Sequence, residues 1–132
     1  MAQTSASDAT LQQFQLLQET QTQIEILNTQ IGKINQRIAS LQLIQKRSEA
    51  ALEALDNTRS GQRVYKQVSR VLILRDQSDL RTEIEKERDV AAENLPKLIT
   101  VRAQLVAKLG GLNAQFVDIN AQLRRNLFQQ SS

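Results

Sequence analysis

The sequence predicts a mainly α protein: a long antiparallel two-helix coiled coil with one β-hairpin at the fold-back. Three observations carry this reading. Apolar residues recur in steps of three and four along two long stretches. The segment between them changes to β-branched and aromatic residues. Aromatic side chains are scarce, only Phe14, Tyr65, Phe116 and Phe128, which suits a thin seam between two helices better than a compact core.

The 132 residues fit a single domain by length. Residues 1–8 are small and polar and are expected to be a disordered N-terminus. The first coiled-coil helix is expected over residues 9–57, with Asp8 or Thr10 as its cap. Its apolar positions are Leu17, Ile24, Leu27, Ile31, Ile34, Ile38, Leu41, Leu52 and Leu55, and Thr20, Gln45 and Ser48 fill the vacant slots of the same frame. That is the inward seam of a left-handed coiled coil. A helix of this length spans roughly 70 Å and cannot bury its stripe alone.

Residues 58–76 are expected to form the β-hairpin assembly region. Asp56, Asn57, Thr58, Ser60 and Gly61 are helix-stop and turn residues. Two short strands are expected near 63–67 and 70–75, meeting at Val68-Ser69, and built on Val64, Tyr65, Val68, Val71, Leu72, Ile73 and Leu74. Val71 and Ile73 point to one face of the second strand, Leu72 and Leu74 to the other. A lone hairpin is marginal in water. One that is apolar on both faces requires cover on both, which argues for packing against hairpins of other chains.

The second helix is expected over residues 77–129, with Asp76 as N-cap and Asp79 in its first turn, followed by a tail at 130–132. Its apolar positions include Leu80, Ile84, Ala91, Leu95, Leu98, Val101, Leu105, Leu109, Leu112, Phe116, Ile119, Leu123 and Leu127. Pro96 is expected to kink the helix without ending it, because the apolar steps continue past it. Gly110-Gly111 is a soft spot. Both read equally well as tolerated defects or as a flexible arm.

Composition excludes several function classes. With no Cys and no His, the chain has no disulfide framework, no Cys/His zinc site and no imidazole to activate a nucleophile. Neither GxxxxGK[ST] nor GxGxxG occurs. No enzyme activity, metal or cofactor is expected. The start of the chain lacks signal-peptide features, and the longest apolar run, Val71 to Leu74, is far short of a membrane span. A soluble cytoplasmic protein is expected, with the nucleus left open. The formal charge of +3 is unevenly placed. Arg59, Arg63, Lys66, Arg70 and Arg75 stand without an acid between Thr58 and Arg75, and seven acids follow between Asp76 and Glu93. A basic connector is compatible with an acidic partner or nucleic acid, but solvated side chains are the favoured reading, because no aromatic-and-basic binding motif accompanies it.

The two free ends carry surplus apolar residues: Phe14, Leu16 and Leu17 on the first helix, and Leu123, Leu127 and Phe128 on the second. An antiparallel hairpin of helices brings them to one tip, far from the β-hairpin. Adjacent pairs such as Leu16-Leu17 and Leu127-Phe128 cannot both face one seam, so part of this surface is left for a partner.

Helix, hairpin and helix resemble a β-class prefoldin subunit. The resemblance is carried by VYKQVSRVLILRDQSDL, Val64 to Leu80, preceded by LDNTR at Leu55 to Arg59. Tyr65, Val68-Ser69-Arg70, the strand Val71 to Leu74 and the capped helix from Asp76 match the family's pattern. RVLIL and LDNTR are most similar to prefoldin subunit 1, and the VYK triplet is also similar to subunit 6. Ser69 stands where the family has a turn Gly, and a positive φ there would strain it. Pro96 is a second departure.

The resemblance implies a heterohexamer of two α-type and four β-type subunits whose hairpins form a β-barrel body. It implies partners: two α-type and three further β-type subunits, unfolded clients such as actin and tubulin, and the group II chaperonin. Capture would need no ATP, with Phe14, Leu16, Leu17, Leu123, Leu127 and Phe128 at the client-binding tip. No membrane is implied, and nucleic acid is not an expected partner. A coiled-coil scaffold or tether without chaperone activity is the alternative.

Overall fold

The structure, a computed structural model, describes the backbone of residues 2–59 and 62–131 and the side chains of 8–59 and 62–129. Four elements follow one another: α1 (Ala2–Asp56), β1 (Val64–Val68), β2 (Val71–Arg75) and α2 (Gln77–Ser131). This is the expected fold class. Of the expected turn residues, Ser60 and Gly61 lie outside the described residues, as do Met1 and Ser132 at the ends.

Helix α1 begins earlier than expected. It runs back to Ala2, through the segment read as disordered, so Asp8 and Thr10 lie inside the helix and neither caps it. No Gly or Pro interrupts this segment, and its alanines favour helix. Helix α2 continues to Ser131 through Pro96. The proline withholds one amide from the ladder, and the Thr100 hydroxyl donates to the Pro96 carbonyl oxygen at 3.0 Å.

The chain divides into two compact units, one of Met1–Asn35 with Val101–Ser132 and one of Gln36–Thr100. In the first, α1 and α2 pair antiparallel. The Asn126 amide donates to Gln13 Oε1 at 2.7 Å, and Arg102 donates to Asn35 Oδ1 at 3.1 Å, so numbers rise along one helix as they fall along the other. Leu27, Ile119 and Leu123 are its buried apolar residues, joined by Thr10 and Thr20. The Thr20 hydroxyl is satisfied within its own helix, donating to the Leu16 carbonyl at 2.8 Å. In the second unit the buried residues are Ile38, Leu41, Ser48 and Leu52 of α1 with Leu80 and Ala91 of α2. An ion pair between Asp56 and Arg81 joins the two helices beside the hairpin.

The seam of α1 lies where the sequence puts it. Leu17, Thr20, Ile24, Leu27, Ile31, Ile34, Ile38, Leu41, Gln45, Ser48, Leu52 and Leu55 are all buried or half-buried. The frame extends back through Gln13 to Thr10. On α2 the expectation needs correction at two positions. Val101 and Leu127 are exposed, and the half-buried frame runs through Arg88, Arg102 and Asn126 instead. From Ile84 onward these polar residues keep the steps of three and four unbroken, whereas Val101 and Leu127 each lie one residue off them.

Candidate assembly and client-binding surfaces

The hairpin is antiparallel, with Val64 opposite Arg75, Tyr65 opposite Leu74, Lys66 opposite Ile73, Gln67 opposite Leu72, and Val68 opposite Val71. Each strand is shifted from its expected bounds, so the loop is Ser69-Arg70 rather than Val68-Ser69. Ser69 takes a φ of 58°, the strained left-handed value that its place in a two-residue hairpin loop demands. A positive φ at the first loop residue alone is the sign pattern of a type II′ turn, where Gly is preferred.

Opposed residues share a face. One face carries Val64, Lys66, Val68, Val71, Ile73 and Arg75; the other carries Tyr65, Gln67, Leu72 and Leu74. Of the seven residues expected to serve assembly, only Val64 is half-covered. Tyr65, Val68, Val71, Leu72, Ile73 and Leu74 are exposed, Val71 at 61% and Leu72 at 63%. The chain's own residues thus leave the face of Tyr65, Gln67, Leu72 and Leu74 uncovered and cover the other only at its Val64–Arg75 end.

The two faces are unequal. Lys66 and Arg75, at the mixed face, both reach Glu83 of α2. Lys66 Nζ pairs with one carboxylate oxygen, and an Arg75 nitrogen lies 2.8 Å from the other. The hydrogen bond from Lys66 is the main reason the Glu83 carboxyl is held below the usual carboxylate range; partial desolvation opposes it, and Arg75 adds to the lowering. A second tether holds the connector. The Gln77 side-chain amide donates to Thr58 Oγ1, the Arg59 carbonyl and the Gln62 carbonyl at 3.2–3.3 Å. Asp76 occupies the N-cap position, its carbonyl accepting from the Leu80 amide at 2.9 Å. The sequence reading missed Glu83 and Gln77. The only signal for Glu83 was an acid two helical turns beyond the cap, after a connector rich in cations. The same pairing engages two of the five cations of the basic connector.

The second surface lies where the start of α1 meets the end of α2. Four of its six expected residues, Phe14, Leu16, Leu127 and Phe128, are exposed, Phe128 at 77%. The other two belong to the seam. Leu123 is only 4% exposed and Leu17 is half-buried, because both fall on the steps of three and four. Leu11 and Val117, which the sequence reading did not single out, add exposed apolar area to this unit. Among the described residues no group of acidic side chains is arranged to hold a metal ion, and no helix is long and apolar enough to cross a membrane.

Comparison with known proteins agrees with this geometry. The family model described as "Prefoldin subunit" matches residues 18–109. The "Prefoldin subunit beta" of Methanothrix thermoacetophila is 27% identical over 114 residues, which span 86% of this chain and 88% of that protein. The crystal structure of the prefoldin beta subunit from Thermococcus strain KS-1 has the same fold, with a TM-score of 0.65 at 23% identity over 83% of this chain and 93% of that one. The prefoldin beta2 subunit of the same strain has a TM-score of 0.58 at 22% identity, covering 68% of this chain and 96% of its own. With one hairpin between two long helices, and a family match that spans the hairpin and most of both helices, this chain belongs to the prefoldin subunit family and has its β-type fold.

Proposed function

We propose that this chain is one β-type subunit of a heterohexameric, ATP-independent co-chaperone that captures unfolded proteins and delivers them to the group II chaperonin. Family membership implies assembly with other prefoldin subunits. The finer reading adds two α-type and three further β-type partners, a cytoplasmic setting, actin and tubulin among the clients, and no catalytic step. The observation that carries it is the hairpin, whose apolar residues Tyr65, Val68, Val71, Leu72, Ile73 and Leu74 are all left exposed by its own chain. Each Å² of apolar area removed from water contributes about 25 cal/mol, so packing by strands from neighbouring subunits offsets the cost of exposing these side chains to water. Exposed Phe14, Leu16, Leu127 and Phe128 supply a separate apolar surface for clients.

The test is co-expression with the partner subunits, native mass measurement, and suppression of aggregation of a denatured protein without ATP. Val71→Asp with Ile73→Asp is expected to abolish the hexamer while leaving helix content intact. Phe14→Ser, Leu127→Ser and Phe128→Ser together are expected to leave the hexamer intact and weaken holding. A chain that forms only a dimer and suppresses no aggregation is a tether, and the chaperone reading then fails.

A further inference from the structure

Outside the seam, the last turns of α2 present a stripe of apolar and basic residues. Val117, Asn120, Ala121, Arg124 and Arg125 line a shallow hollow of about 510 Å³. Its floor is apolar, from Val117 and Ala121, four residues apart and so on one helix face. Its far edge is two adjacent guanidinium groups. Like most of the chain's cations, Arg124 and Arg125 have no ion-pair partner among the described residues, and no acidic residue stands between Asp118 and Ser132 to neutralise them. Exposed Leu127 and Phe128 follow directly. The seam in this region runs through Phe116, Ile119, Leu123 and Asn126, so the stripe is not needed to hold the helices together.

We propose that this hollow selects client segments in which acidic residues flank an apolar one. The apolar floor takes the side chain, and Arg124 and Arg125 take the carboxylates, for which a planar guanidinium offers paired donors. The inference rests on the client-holding reading and adds a charge preference to it. Two unpaired cations beside an exposed apolar surface disfavour basic segments and favour acidic ones by the same interaction, which salt screens.

The test uses the assembled complex and two fluorescently labelled unfolded polypeptides with the same apolar content. One carries Glu beside each apolar residue, and the other carries Gln there. Arg124→Gln with Arg125→Gln preserves helix propensity, and circular dichroism checks that the fold is kept. Affinity for the acidic polypeptide is expected to fall roughly fivefold, as two exposed charge contacts predict, with no change for the neutral one. Raising salt is expected to weaken the acidic client on the unaltered complex only. Equal weakening of both clients, or of neither, overturns the proposal while leaving chaperone holding in place. An unaltered complex that holds neither client overturns both.

Discussion

Asn126, near the end of α2, donates its side-chain amide to Gln13, near the start of α1, across 2.7 Å and 113 positions of sequence. Both residues occupy seam positions. A polar pair at a seam position weakens the apolar stripe and fixes which residues meet. Asn126→Ala and Gln13→Ala are each expected to lower stability by about 1 kcal/mol. The double substitution is expected to cost little more than either alone, as denaturant melts in a double-mutant cycle would show. Fully additive losses would mean the two side chains do not interact.

Glu83 gives the hairpin an acid-sensitive tether. Its carboxyl is held below the ordinary value of 4.5, first by the Lys66 hydrogen bond and then by Arg75. A group whose folded value is depressed contributes fully above its unfolded value and loses that contribution as pH falls through the folded one. The tether is therefore complete above pH 4.5 and is lost below it, as Glu83 takes up a proton. Tyr65 is the chain's sole Tyr, and there is no Trp, so tyrosine fluorescence reports on β1 alone. A fluorescence change on acidification is expected, and Glu83→Gln is expected to remove it. Persistence of the change in that variant would assign it to another group.

Ser69 is strained by its φ of 58°. A residue with a Cβ in the left-handed region costs roughly 1–2 kcal/mol, a cost that Gly avoids. Ser69→Gly is expected to stabilise the hairpin by about 1 kcal/mol, read as slower amide exchange at Val68 and Val71, the hydrogen-bonded pair that flanks the loop. Unchanged or faster exchange would show that the serine hydroxyl offsets the strain.

Gly110 and Gly111 sit inside α2, and a Cβ added at either meets open space. Ala at each is expected to add about 1 kcal/mol of helix stability without a clash. Thermal melts of the single and double variants check this. If client holding falls as stability rises, the pair serves as a flexible joint; if holding is unchanged, it is a tolerated defect.

Much of this architecture was legible in the sequence, for a definable reason. The α1 seam obeys one spacing rule from Leu17 to Leu55, and polar Thr20, Gln45 and Ser48 were recognised as members of the frame by position. On α2 apolar character points to Val101 and Leu127, whereas the spacing points to Arg102 and Asn126. Spacing was the better guide, because a long Arg reaches past the seam to Asn35 and Asn126 finds Gln13. Leu17 and Leu123, expected both in the seam and at the tip, are buried or half-buried because apolar residues near a chain end still obey the frame. Gln77 and Glu83 were not legible, since a clamp across the connector depends on how the chain returns on itself and leaves no periodic mark.

The seam holds no sealed interior: among the described residues, no large side chain is less than 2% exposed. Polar residues interrupt the stripe repeatedly, among them Thr10, Thr20 and Ser48. Such a chain has little cohesion of its own, and whatever binds its folded form adds to it directly. Its midpoint of unfolding should then climb with the concentration of its companions, making durability a property of the mixture and leaving an orphaned subunit the first to be cleared.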